Sequence, residues 1–199
     1  MPPPAPDPAR RNEHSRRAIL AATIALIGEL GYDGVSIEAI ARRAGVGKQT
    51  IYRWWPSKGA VALEALDDSL ATVVDFPDTG DIVADLRTQM VGVTQLLGST
   101  AVGPVYQGLL AAAQSDPALS RAHLEQVIEP ATVACLARIA RAQERGEMRA
   151  DADPQELIDM LYGAIYYRLV LHTRPLDTGQ IDAALGIVFE GVRPAPTAP

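Results

Sequence analysis

Cysteine is almost missing from this sequence: Cys135 is the only one in 199 residues. A single thiol excludes a disulfide within the chain and fits a reducing compartment such as the cytoplasm. Cys135 lies in the run Val133-Ala134-Cys135-Leu136, where it reads as a small buried hydrophobe rather than a redox sensor. Histidine is also scarce, and neither His123 nor His172 has a Cys, Asp or Glu partner at metal-ligand spacing, so no metal site is expected. No stretch approaches the roughly 20 uninterrupted apolar residues of a membrane span. A glycine-rich phosphate loop and a nucleophile with a paired base are both lacking, which argues against an enzyme and against a bound cofactor. Ser15-Arg16-Arg17 followed by an apolar stretch to Leu30 looks like a twin-arginine export signal. However, Glu29 cuts that stretch short and no small-x-small cleavage site follows. Ile19, Ala22, Leu26 and Leu30 also recur at helical spacing, so an amphipathic core helix is the better reading.

Positive charge is in short supply overall, with a net charge of −6, yet it is unevenly spread. Residues 1–60 carry nine Lys/Arg against five Asp/Glu, and the remainder carries nine Arg against nineteen Asp/Glu. Such a split fits one part that meets a polyanion and another that does not. Hydrophobic residues make up 48%, enough for a packed core.

Strand-like alternation is scarce, and Ala, Leu, Glu, Arg and Gln dominate, so the chain is expected to be all-α. Punctuation by caps, Gly and Pro divides it into about nine helices, over roughly 12–30, 37–44, 48–54, 58–74, 81–97, 103–114, 117–145, 154–172 and 178–192. Pro130 is expected to kink the seventh. The Pro-rich ends, 1–11 and 193–199, are expected to be disordered tails.

Residues 36–55 read SIEAIARRAGVGKQTIYRWW: two short helical patterns joined by Ala44-Gly45-Val46. Ile37, Ile40 and Ala41 face inward from the first, and Val46 and Ile51 anchor the second. That spacing is the geometry of a helix-turn-helix, with glycine where the chain turns sharply. The outer face of the second helix then carries Lys48, Gln49, Thr50, Tyr52 and Arg53. Lys48 can donate to guanine and Gln49 can pair with adenine in the major groove. Thr50 and Tyr52 suit phosphate, Arg53 suits either, and Ser36 and Lys58 stand at helix starts where phosphate is favoured.

With Leu30-Gly31-Tyr32, Ser36 to Ala41 and Ala44 through Lys58 spaced in this way, residues 15–62 resemble the N-terminal domain of TetR-type transcriptional regulators. The resemblance places base reading on Lys48 and Gln49 and phosphate contact on Thr50, Tyr52, Trp54 and Lys58. Gly47 departs from the capping serine of many members, and Trp55, where a phenylalanine is usual, is expected in the core. The segments from Arg145 to Asp151 and from Leu161 to Leu169 are similar to one C-terminal domain type of that family. The architecture implied is a three-helix DNA-binding domain, 12–57, followed by a helical bundle, 58–192, for ligand binding and dimerisation.

By the same resemblance the last two helices form a homodimer interface with Leu157, Leu161, Ile165, Leu169, Leu185 and Val188. A stripe of that kind is equally what an internal core helix shows. A ligand pocket is implied among helices 5–8, with Met90, Tyr106, Gln107, Tyr162 and Tyr166 as candidate lining. The function implied is a repressor released from a palindromic operator by a small-molecule effector. A constitutive DNA-binding regulator and, more remotely, a helical-domain enzyme are the alternatives.

Overall fold

Local capping chemistry sets the helix starts in the computed structural model, which describes residues 8–73 and 75–192. Ser36 Oγ accepts from the Ala39 N–H at 3.2 Å, Ser57 Oγ from Ala60 at 3.2 Å, and Asp81 Oδ1 from Val83 and Ala84, both at 3.0 Å. Asp153 likewise caps the helix that opens with Pro154. Each cap satisfies N–H groups that the first turn leaves without a partner.

The described residues form nine helices and no strand. They are α1 (Pro8–Leu30), α2 (Ile37–Ala44), α3 (Lys48–Tyr52), α4 (Lys58–Leu70), α5 (Ile82–Ser99) and α6 (Val102–Ala113). A long α7 follows, which begins as Pro117–His123, passes through a π-helical turn, Leu124–Ile128, and continues as Glu129–Glu144. The chain ends in α8 (Pro154–Leu171) and α9 (Thr178–Val192). No single helix among the described residues is long and apolar enough to cross a membrane.

Three details differ from the sequence expectation. Helix α1 starts at Pro8, so residues 8–11 are helical rather than part of a tail; proline fits a first turn because its missing N–H would be unpaired there anyway. The rest of both expected tails lies outside the described residues. The strain of Pro130 is taken up in a π turn just before it, where the Glu129 N–H reaches back to the Leu124 carbonyl. A wider turn relieves the clash that a proline ring makes with the carbonyl four residues earlier. Leu30, counted in the α1 core stripe, is exposed, whereas Ile19, Ala22 and Leu26 are buried.

Contacts divide the chain into two units. The first unit takes the chain up to Ser69 together with Pro104–Ser120; the second takes Leu70–Gly103 and everything from Arg121. Most of α4 and α6 therefore belongs with the helix-turn-helix. Glycines explain this local packing. A Cβ on Gly108 would lie 2.2 Å from Tyr32 Cβ, and one on Gly59 would lie 2.9 Å from Leu119 Cδ2. These two positions bring α6 and the start of α7 against the loop after α1 and the start of α4. Gly108→Ala is expected to destabilise the protein by about 1–3 kcal/mol, because the new methyl has no room beside the fixed Cβ of Tyr32. An unchanged thermal midpoint in that variant would contradict the packing.

In the first unit the core is Ile19, Ile27, Ile40, Ile51, Val61 and Leu66, all essentially unexposed. Burying one such side chain is worth about 1.5–3 kcal/mol. In the second unit Leu86, Met90, Ile139, Leu161, Ile165 and Ile181 play the same part.

Candidate nucleic-acid interface

Helix α2 ends where Gly45 takes φ +67°, a left-handed conformation that costs little only without a Cβ. Its N–H and that of Val46 return to α2 carbonyls, at 3.3 Å to Arg42 and 3.0 Å to Ala41. The chain then re-enters a helix at Lys48, with Gly47 in extended conformation and no side chain to cap the start. Ile51 is fully buried and pins α3 by its inner face. Helix α3 ends at Tyr52, two residues earlier than expected, and Trp54 and Trp55 both donate back to the Ile51 carbonyl, each at 2.9 Å. Trp55 is buried and its Nε1 donates to Glu64 at 2.6 Å, which ties the end of the motif to α4.

The outward row is Lys48, Gln49, Tyr52 and Arg53, all exposed, with Thr50 partly so. Trp54 is half exposed and the Arg53 guanidinium lies 5.7 Å from the centre of its ring. Ser36 is exposed, and its hydroxyl caps α2 while remaining at the surface. Lys58 departs from the simple expectation of a free phosphate contact. Its Nζ donates to the Tyr32 carbonyl at 2.6 Å and lies 4.3 Å from the Tyr32 ring centre. An ammonium has three donors, so two remain for another acceptor.

Two carboxylates hold cations of this surface. Arg43 forks onto Glu29 at 2.9 and 2.8 Å, and Lys48 Nζ meets Glu38 Oε1 at 2.5 Å. Those bonds keep both carboxyls below their ordinary range. Glu38 was not among the residues singled out in the sequence, although it stands two residues after the Ser36 cap.

The expected effector and interface residues are placed as follows. Met90, Tyr162 and Tyr166 fall in the second unit, Tyr106 and Gln107 in the first. Met90 and Tyr106 are fully buried. The Tyr162 hydroxyl donates to Gln89 Oε1, and Gln89 Nε2 donates to the Val73 carbonyl at 3.2 Å. Burial pushes the nearby Cys135 thiol up to about 12, in keeping with its reading as an inert core residue. A cavity of about 340 Å³ in the second unit is lined instead by Val83, Arg87, Glu147, Asp182, Leu185 and Phe189 among others, and by none of the five candidates.

The stripe expected at the dimer interface lies largely inside the protomer. Leu157, Leu161, Ile165, Leu169 and Leu185 are buried within the protomer, and Val188 is only partly exposed. Those side chains make the core of the second unit. The apolar residues that α8 and α9 leave in solvent are Met160, Tyr167, Val170, Leu171 and Ile187. Helix α8 is apolar on two sides, and periodicity alone gives no means of telling which side faces in.

Comparison with known proteins agrees with this geometry. Residues 19–65 match the model of the bacterial regulatory proteins of the tetR family, and residues 76–188 match the tetracyclin repressor-like C-terminal domain. The uncharacterized HTH-type transcriptional regulator YdeS of Bacillus subtilis is 31% identical over 92% of both chains. The DNA-binding transcriptional repressor TetR of Mycobacteroides abscessus is 32% identical over 92% of this chain and 93% of its own. The crystal structure of the TetR family transcription regulator SCO0332 superposes with a TM-score of 0.75 at 36% identity, covering 90% of this chain and 99% of that one. This chain belongs to the TetR family of DNA-binding transcriptional regulators.

Proposed function

We propose that this protein is a homodimeric, cytoplasmic repressor without enzymatic activity that reads a near-palindromic operator through α3. A small-molecule effector bound in the second unit then releases it. The observation that carries the reading is the exposed row Lys48, Gln49, Tyr52 and Arg53 on a helix pinned by buried Ile51 and preceded by a capped α2. Residues at the N-terminus of such a helix reach base edges in the major groove, and two copies of it would read half-sites about 34–36 Å apart or a multiple of that. The apolar side chains that α8 and α9 leave exposed, Met160, Tyr167, Val170, Leu171 and Ile187, support pairing with a second copy. An effector that prefers one separation of the reading heads lowers operator affinity by its differential binding energy, typically about 1–3 kcal/mol. Of the candidate lining, Met90, Tyr162 and Tyr166 lie in the second unit and are proposed to meet it.

Selection of duplexes from a random library by the purified protein tests the reading. Recovery of a palindrome is the expected result, and no enrichment at low salt from folded protein would contradict it. With the operator in hand, Lys48→Ala and Gln49→Ala are each expected to cost about 1–3 kcal/mol at particular base pairs, whereas Lys58→Ala should weaken all sequences alike. Binding assays over single-base operator variants separate the two behaviours. A uniform loss in all three variants would overturn the assignment of base readers.

A further inference from the structure

The cation expected to read a base is already bound to an acid of its own chain. Glu38 occupies the first turn of α2 and meets Lys48 Nζ at 2.5 Å, with both side chains about half exposed at 51%. This contact crosses from α2 to the first residue of α3, on the side that faces the groove if α3 is the recognition helix; the inference rests on that reading. A lysine carries one compact charge, and a base edge or phosphate competes with Glu38 for it. Binding DNA through Lys48 therefore breaks the pair and leaves the Glu38 carboxylate beside a polyanion.

We infer that the Glu38–Lys48 pair is an autoinhibitory contact on the DNA-reading surface: DNA must displace Glu38 from Lys48, and the pair holds operator affinity below what α3 would otherwise give. Two consequences follow. Glu38→Gln keeps the side-chain shape and removes the charge, so it tightens operator binding by about two- to fivefold, the range of an exposed ion pair. It also steepens the dependence of affinity on salt, because the complex no longer retains a cation beside a bare carboxylate.

The test is a double-mutant cycle on the full chain, with operator affinity measured at several salt concentrations for wild type, Glu38→Gln, Lys48→Ala and the double variant. The expected result is a gain from Glu38→Gln that is about two- to fivefold larger when Lys48 is present than in the Lys48→Ala background. An equal gain in both backgrounds overturns the inference, since Glu38 would then act only as a distant charge. Unchanged or weaker binding by Glu38→Gln also overturns it, since the carboxylate would then orient Lys48 for DNA. A wild-type chain with no affinity for any duplex would instead refute the reading of α3 itself. Melting curves of the four proteins confirm that each is folded.

Discussion

Arg138→Met is expected to destabilise the protein by about 3–5 kcal/mol at neutral pH, the cost of leaving buried carboxylates without their cation. Arg138 has no exposed side-chain surface, and its guanidinium holds three parts of the second unit together. Nε donates to Asp85 at 2.7 Å, in the first turn of α5, and Nη2 donates to Glu147 at 2.7 Å, in the turn after α7. Asp85 also accepts from the Thr79 hydroxyl at 2.7 Å and from its N–H, which fastens the turn before α5. Around this centre Arg141 and Arg145 reach Asp78 at 2.9 and 2.6 Å. A lysine at 138 would offer one charge without the fork, so Arg138→Lys should recover little.

The pH dependence gives a second signature. Burial pushes the Asp85 carboxyl up, but the hydrogen bonds from Thr79 and Arg138 outweigh it and leave the group below the ordinary carboxylate range. A carboxyl depressed in the folded state contributes stability above its unfolded pKa, about 3.9, and that stability is lost as pH falls through the lower folded value. In Arg138→Met the Thr79 bonds remain but the contribution of Arg138 is lost, so the carboxyl is held down less and adds less stability above its unfolded pKa. The stability gap between wild type and variant should therefore narrow as pH falls below about 5. Denaturant titrations at several pH values measure the gap. A constant gap, or a loss under about 1 kcal/mol, would show that the cluster does not hold the unit together. Replacing Asp85 and Glu147 by apolar residues alongside Arg138→Met should restore part of the loss, because a well-packed apolar set can stand in for a buried ion cluster.

The helix-turn-helix was legible in the sequence because its signals are local. The Ser36 cap, Gly45 at the turn and Ile40 and Ile51 at helical spacing each act within a few residues, and each has its expected place in the structure. The long-range features were not legible. Arg138 stands in a run of α7 with buried Cys135, Ile139 and Ala142, and its partners are 53 and 9 residues away. An arginine at helical spacing within an apolar face was the available sign, but nothing local names its partner. The unit boundary depends on Gly108 meeting Tyr32 across 76 residues, a contact that a missing Cβ permits but does not announce. The stripe Leu157, Leu161, Ile165 and Leu169 has the same periodicity whether it faces its own chain or another copy, and here it faces its own.

The opposite side of α8 is where the largest effect on DNA binding is expected. The double variant Tyr167→Glu, Ile187→Glu should be monomeric, near 21.2 kDa by light scattering, and should bind the operator about 100-fold or more weakly than wild type. Tyr167 is 57% exposed and Ile187 75%, and Met160, Val170 and Leu171 extend the apolar surface along α8. A protomer alone gains nothing from holding these residues in water, whereas a two-fold contact covers them on both copies at once. Each substitution then enters the interface twice, and four carboxylates brought together without partners repel and resist desolvation. On the proposed reading of α3, DNA affinity follows because one protomer carries one recognition helix. A dimer delivers the second half-site contact at high effective concentration, a gain of about 10²–10⁴ that is lost when the copies separate. The substitutions should leave the protomer folded, since neither side chain belongs to its core. Leu161→Glu, at a buried position six residues before Tyr167, should unfold it instead. A double variant that remains dimeric and binds operator with wild-type affinity would remove this face from the interface and leave the exposed apolar row without an account.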